Sequence, residues 1–190
     1  MKVTKAQVQA NRARVVETAS ALFRERGYDG VGVADLMAAA GLTHGGFYKH
    51  FRSKADLMAE AAACGIAQTA ALSAGADRPT FVRYYLSRAH RDARATGCTM
   101  AALGGDAARQ PEAVRATFAA GIESLLAALG AGGPTRADTL DMLAHVVGAL
   151  VMSRACPDDS PLADEILAVC RDRILAAPRL AARAPGTVNG

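Results

Sequence analysis

The sequence predicts an all-α chain in two parts, and three observations carry that expectation. Apolar residues recur at three- and four-residue spacing through one segment after another, while β-branched alternation is nearly absent. Prolines sit mostly between the periodic segments. The net charge of +4 is unevenly placed: residues 1–56 hold nine Lys/Arg against five Asp/Glu, and residues 57–190 hold 13 of each. At 51% hydrophobic and 21% charged, the composition is that of an ordinary globular protein. A basic first third then reads as an electrostatic footprint for phosphate.

The first helix starts at a capping box, Thr4-Lys5-Ala6-Gln7, with Gln7 able to reach back to the Thr4 N–H. Val8, Val15, Val16, Ala19, Leu22 and Phe23 form its inner stripe, and Arg12, Arg14, Glu17, Arg24 and Glu25 its outer face. Gly27 ends it, and Tyr28-Asp29-Gly30 turns the chain. Val33 to Ala40 is a short helix with Leu36, Met37 and Ala40 on one side. Gly41 stands where a helix ends in a left-handed residue. Leu42 plugs the corner, and Thr43 offers a hydroxyl to the free N–H groups of the next helix. That helix runs His-Gly-Gly-Phe-Tyr-Lys-His over 44–50. Two short helices joined by a tight glycine turn are a helix-turn-helix, here about residues 32–51, whose second helix is available to a DNA groove. Leu22, Phe23, Leu36, Leu42, Phe47 and Phe51 are the expected core of this head.

Ser53 caps the next helix, with Asp56 in its first turn, and the helix continues through Leu57, Met58, Ala61, Ala62 and Ile66 to about Ser73. A further helix is expected from Asp77-Arg78-Pro79-Thr80 to Gly97. It would hold Phe81, Tyr84, Tyr85 and Leu86 inside and Arg83, Arg88, Arg91 and Arg94 mostly outside. Cys98 to Ala108 reads as a short or bent helix, and Pro111-Glu112 starts one of about five turns. Gly130 to Pro134 is a loop. Thr135–Ala155 and Leu162–Ala176 are apolar on two sides. Such helices need two partners, and one is expected to be the same pair in a second subunit. The division expected is 1–53 for the head, 54–176 for the bundle, and a disordered tail over 177–190.

Other classes are disfavoured. Met1-Lys2 leads into a polar helix start and not a signal peptide, and no run resembles ~20 continuous apolar residues, so neither export nor a membrane span is expected. Cys64, Cys98, Cys156 and Cys170 show no CxxC pairing and no neighbouring His, which argues against zinc and a disulfide framework and fits a reducing cytoplasm. No metal or cofactor is expected. Paired carboxylates, a Ser/His/Asp set and a phosphate loop are missing at usable spacing, so an enzyme is disfavoured. A helical protein-interaction module without DNA binding is the remaining alternative.

Arg12-x-x-Val15-Val16-x-x-Ala19-x-x-Leu22-Phe23, Gly27-Tyr28, Ala40-Gly41-Leu42 and Gly46-Phe47-Tyr48-x-x-Phe51-x-x-Lys54-x-x-Leu57 together resemble the TetR/AcrR family of bacterial transcriptional regulators over about residues 8–68. Gly97 to Leu103 is similar to a segment of many members. The resemblance implies a homodimeric repressor or activator that releases operator DNA on binding a small molecule. It also implies Tyr48, His50 and Lys54 as phosphate contacts. The chain departs from the family at Val31 and Gly32, where Thr or Ser is usual, so hydroxyl contacts to phosphate are absent there. His44 and Lys49 are the expected base readers, since a lysine can donate to guanine O6 and N7. Thr43 caps the reading helix, and Gly45 and Gly46 let its backbone approach the groove.

Phe81, Tyr84, Tyr85, Met100, Phe118, Ile122, Met142 and Met152 are core residues by default. If the family analogy holds, Phe81, Tyr84, Tyr85, Cys98, Met100, Phe118, Ile122, Met142 and His145 are the expected lining of a pocket for a small apolar or amphipathic effector. Cys98 reads as a small core or pocket residue, since no cation adjoins it in sequence to activate its thiol. His90 has no second ligand at metal spacing.

Overall fold

A computed structural model of the chain describes residues 4–131 and 133–176. Among these residues every regular element is a helix: α1 (Lys5–Arg26), α2 (Val33–Ala39), a 3-10 helix (His44–Lys49), α3 (Lys54–Ser73), α4 (Arg78–Tyr85), α5 (Arg88–Asp92), α6 (Thr99–Ala107), α7 (Glu112–Gly130), α8 (Arg136–Ala155) and α9 (Pro161–Ala176). The disorder expected over 177–190 lies outside the described residues.

α1 begins where expected, with the Thr4 hydroxyl accepting the Gln7 N–H at 3.2 Å, although the Gln7 side-chain amide donates to Asn11 Oδ1. Its inner stripe is Val15, Ala19 and Phe23, with Leu22 half-buried and Val8 exposed. α2 buries Leu36 and Met37 and ends in a full Schellman motif: Leu42 N–H donates to Met37 O and Gly41 N–H to Ala38 O, both at 2.9 Å. Gly41 sits at φ 68°, a left-handed conformation that is strained for a side-chain-bearing residue. The core of the head is Phe23, Tyr28, Leu36, Met37, Phe47 and Phe51, with Leu42 half-buried at the corner.

α3 starts on the Ser53 cap, which accepts the Asp56 N–H at 3.1 Å. It packs along α1 at one end and along α7 over much of its length, so it belongs to both parts. At Gly65 the two parts meet closely. A Cβ there would fall 2.4 Å from Thr99 Oγ1 of α6 and 2.8 Å from Arg24 Nη1 and Ser20 Oγ of α1. α8 opens with a capping box, in which Thr135 accepts the Asp138 N–H and Asp138 accepts the Thr135 N–H. By length and composition α7 would suit a bilayer. In this fold Val114, Phe118, Gly121, Leu125 and Leu126 face inward, and the flank carries Arg115 and Glu123.

Several expectations fail here. The single helix expected from residue 77 to 97 is two, because the chain breaks at Leu86-Ser87 and Ser87 caps α5 by accepting the His90 N–H at 3.1 Å. The break turns Tyr84 outward, at 55% exposed, and Arg91 inward, at 1%. Arg24 is also buried, not on the outer face of α1. Arg12, expected on that outer face, is half-buried: it pairs with Glu60 of α3 and stacks 4.8 Å from the Phe51 ring, tying α1 to α3 beside the turn.

Candidate nucleic-acid interface

The reading segment is held from below and open above. Phe47 is fully buried and packs edge-on to Tyr48 at 5.2 Å and tilted on Phe51 at 5.5 Å, so one aromatic nail fixes the whole segment. Thr43, His44, Gly45, Tyr48 and Lys49 are exposed, Tyr48 at 71%. The segment is a 3-10 helix and not the expected α-helix. Two adjacent glycines weaken α-helical propensity, and a 3-10 turn suits so short a piece. Thr43 precedes it in extended conformation, but no backbone N–H reaches its hydroxyl, so the expected side-chain cap is not made. Its carbonyl instead accepts the Gly46 N–H at 2.9 Å.

Two expected phosphate contacts sit differently from Tyr48. Lys54 donates from Nζ to the Tyr28 carbonyl at 2.5 Å, which makes it a clasp between α3 and the α1–α2 turn. His50 is half-buried, its Nδ1 has no partner among the described residues, and its carbonyl accepts from Arg12 Nε at 3.4 Å. Arg52, which the sequence reading does not single out, is a strongly exposed cation beside the turn. Its side chain is 94% accessible and only loosely paired with Asp56 at 3.8 Å. The signal was available, since Arg52 follows Phe51 directly at the end of the turn.

The expected pocket residues divide. Phe81, Tyr84, Tyr85 and Cys98 line a cavity of about 220 Å³ between the C-terminal end of α3, α4, α5 and residues 96–98. Thr69, Leu72, Ser73, Thr80 and His90 complete most of its wall. Met142 lines a separate recess of about 30 Å³, too small for more than a water. Met100 and Phe118 are core residues packed among α3, α6 and α7. Ile122 and His145 are exposed on α7 and α8, because the helical spacing that carries their neighbours inward turns them out.

His90 forms one wall of the cavity with both nitrogens engaged: Nδ1 lies 2.7 Å from the Tyr85 carbonyl, and Nε2 is 3.2 Å from the Cys98 N–H, which donates to it. Accepting at Nε2 and donating at Nδ1 require the neutral ring, and burial holds its pKa below the ordinary value. Behind Gly97 and Cys98 stand two guanidiniums, that of buried Arg24 and that of half-buried Arg154. Arg24 reaches the Gly97 carbonyl at 3.4 Å, and Arg154 donates to the carbonyls of Arg91 and His90 at 3.0 Å. Neither pairs with a carboxylate among the described residues, and desolvation lowers the pKa of both. The Gly97 peptide is thus shared between the cavity wall and α1 of the head.

A compact trihelical head with an exposed basic turn, joined by one continuous helix to an all-helical bundle with a cavity, defines the class: a helix-turn-helix protein with a helical second part. A profile of the bacterial regulatory proteins of the tetR family matches residues 15–61. Residues 15–61 thus carry the DNA-binding head of the tetR family. The chain is 40% identical over 55 residues to the HTH-type transcriptional regulator TtgR of Pseudomonas putida, covering 29% of this chain and 26% of that one. It is 39% identical over 54 residues to the HTH-type transcriptional repressor KstR2 of Mycobacterium tuberculosis, covering 28% and 27%. The matched segment therefore spans about a quarter of the length of these relatives. A TetR transcriptional regulator from Chloroflexus aurantiacus shares the fold over 93% of this chain and 100% of that one, at TM-score 0.62 and 26% identity.

Proposed function

We propose that this chain is a cytoplasmic, ligand-responsive transcriptional regulator. In this reading it is a repressor that binds a palindromic operator as a homodimer and releases it when a small molecule enters the bundle. The observation that carries the proposal is the reading segment, a turn nailed down by buried Phe47 with His44, Tyr48 and Lys49 presented to solvent around a glycine pair. Tyr48, Arg52 and the backbone around Gly45 serve phosphate. His44 and Lys49 meet base edges. Residues 1–53 form the DNA-binding part and 54–176 the effector-binding and dimerisation part.

Dimerisation is assigned to α8 and α9, which leave Leu140, Val151, Leu162 and Val169 between 44% and 53% exposed. Exposed aliphatic residues on adjacent helices suit a two-fold contact, and two-fold symmetry matches half-sites one DNA turn apart, roughly 34–36 Å. Coupling runs through α3 and through the Arg24–Gly97 contact, since an occupant that shifts residues 96–98 shifts a partner of α1. The test is fluorescence anisotropy with DNA from immediately upstream of the gene, titrated with salt. Salt-sensitive binding that discriminates against scrambled DNA is expected, and equal affinity for both sequences would sink the proposal.

A further inference from the structure

We propose that Arg12, paired with Glu60, is a positioning residue for base reading. It fixes the C-terminal end of the reading segment, and with it the aim of Lys49, without itself touching DNA. This rests on the proposed reading of the head as the DNA-binding part.

The segment holds itself weakly. Of residues 44–50 only Phe47 is buried, and the Thr43 hydroxyl caps nothing. Gly45 and Gly46 have no side chain to pack, and the hydrogen bonds of a 3-10 turn are poorly aligned. One buried ring resists lifting of the segment, but it leaves rotation about itself unopposed. The opposing contact is at the far end. There the His50 carbonyl, one residue beyond Lys49, accepts from Arg12 Nε at 3.4 Å. The rest of the guanidinium is held on two further sides. Nη1 donates to Glu60 Oε2 at 2.6 Å and Nη2 donates to Glu60 Oε1, while the central carbon lies 4.8 Å from the centroid of the Phe51 ring. α1, the end of the reading segment and α3 therefore meet on one planar group.

Arg12 is a cation in a basic head, so a phosphate contact is the competing role. The geometry argues against it. All three guanidinium nitrogens already donate, and the Glu60 carboxylate offsets the charge. The side chain is 40% exposed, against 94% for Arg52. A phosphate would have to displace a two-point carboxylate pair to reach it. A lysine at residue 12 would keep the charge and lose both the fork and the flat face.

Arg12→Met, Arg12→Lys and Glu60→Gln are compared with the wild type at a temperature where circular dichroism finds all four folded. Amide hydrogen exchange on the free protein is expected to rise over residues 44–51 in Arg12→Met by about three- to tenfold, as for one lost hydrogen bond, with a smaller change in α7. Anisotropy then compares DNA from upstream of the gene with scrambled DNA. Operator preference should fall about tenfold in both Arg12 variants, while the salt slope on scrambled DNA stays at its wild-type value. Glu60→Gln should lose preference too, although removing an anion strengthens its binding to scrambled DNA. Adding Glu60→Gln to Arg12→Met should cost no further preference, because the pair acts as one unit. Full preference in Arg12→Lys, or a salt slope lower by about one in Arg12→Met, would make Arg12 a phosphate contact and overturn the inference. Exchange over 44–51 that does not rise would overturn it as well. If the Arg12 variants do not fold, Glu60→Gln decides by the same two readouts. A wild type without operator preference sinks the proposed function and this inference together, whereas variants that keep a wild-type preference sink the inference alone.

Discussion

Replacing Gly65 by alanine puts a methyl group where α1, α3 and α6 converge. The added carbon would lie 2.4 Å from Thr99 Oγ1 and 2.8 Å from Ser20 Oγ and Arg24 Nη1. The serine hydroxyl and the guanidinium can swing aside. Thr99 is fully buried, and its branched side chain is stiff at the first torsion. The helices must therefore part, and overpacking of this kind costs ~1–3 kcal/mol. Alanine recovers about 1 kcal/mol over glycine within a helix, which leaves a net loss of at most ~2 kcal/mol. For a chain of this size that lowers the thermal midpoint by at most roughly 8 °C. The mechanism is tested in a second background. The Thr99 hydroxyl has no partner among the described residues, so Thr99→Ala removes the obstruction at little hydrogen-bond cost. Urea denaturation of the wild type, both single variants and the double variant gives the coupling. Gly65→Ala should cost about 1 kcal/mol less when Thr99 is alanine. A Gly65→Ala protein more stable than wild type, or an equal cost in both backgrounds, would refute the wedge.

Lys49→Ala is expected to keep the fold and lose ~1–3 kcal/mol of discrimination between operator and scrambled DNA; an unchanged ratio in anisotropy would remove Lys49 as a reader. Lys54→Met should lower stability by ~1 kcal/mol, because the Tyr28 carbonyl loses its donor, and any loss of DNA affinity should be equal for operator and scrambled sequences. Val151→Asp places a charge on the exposed aliphatic face of α8; light scattering should find a dimer for the wild type, as proposed, and monomers or insoluble protein for the variant. Acid should weaken the fold through His90. Its native pKa lies below the ordinary value near 6.5, so the unfolded chain takes the proton first. Stability is then full above about pH 6.5 and falls below it, by at most about 1.4 kcal/mol per pH unit. His90→Gln should flatten that limb of the curve, and a slope that survives the substitution would place its origin elsewhere.

The head was largely legible because its signals are local. The Thr4 and Ser53 caps, the Gly41 stop and the Phe47–Phe51 spacing each depend on neighbours within a few residues. The buried arginines were not legible in the same way. Their charge argues that Arg24 and Arg91 face outward, yet much of what satisfies them is far along the chain: Gln68 and Gly97 for Arg24, and for Arg91 the residues after α8 in addition to the adjacent Asp92. A wheel of α1 contained a hint, since Arg24 lies one turn after Ser20 and both flank the apolar stripe. The α4–α5 break had a signal too, a serine three residues before His90, but the aromatic run 81–85 outweighed it. The cavity was half legible. Sequence proposed Phe81, Tyr84, Tyr85 and Cys98, whereas Thr69, Leu72 and Ser73 come from the far end of α3, which only folding brings alongside.

Arg91 is almost wholly buried. Its guanidinium donates to the carbonyls of Ser153, Cys156 and Pro157 at 3.3–3.5 Å, closing off the C-terminal end of α8 where the helix dipole is negative. The preceding residue, His90, is a wall of the cavity. One helix of five residues therefore grips both the cavity and the end of the proposed subunit-contact helix. An occupant that displaces α5 pulls on α8, and thermodynamic linkage makes the pull mutual. The factor by which an occupant changes the dimerisation constant is the factor by which subunit association changes the occupant's affinity. With the proposed dimer and effector, ligand affinity varies with protomer concentration, and the response then depends on the protein's own abundance as well as on its ligand.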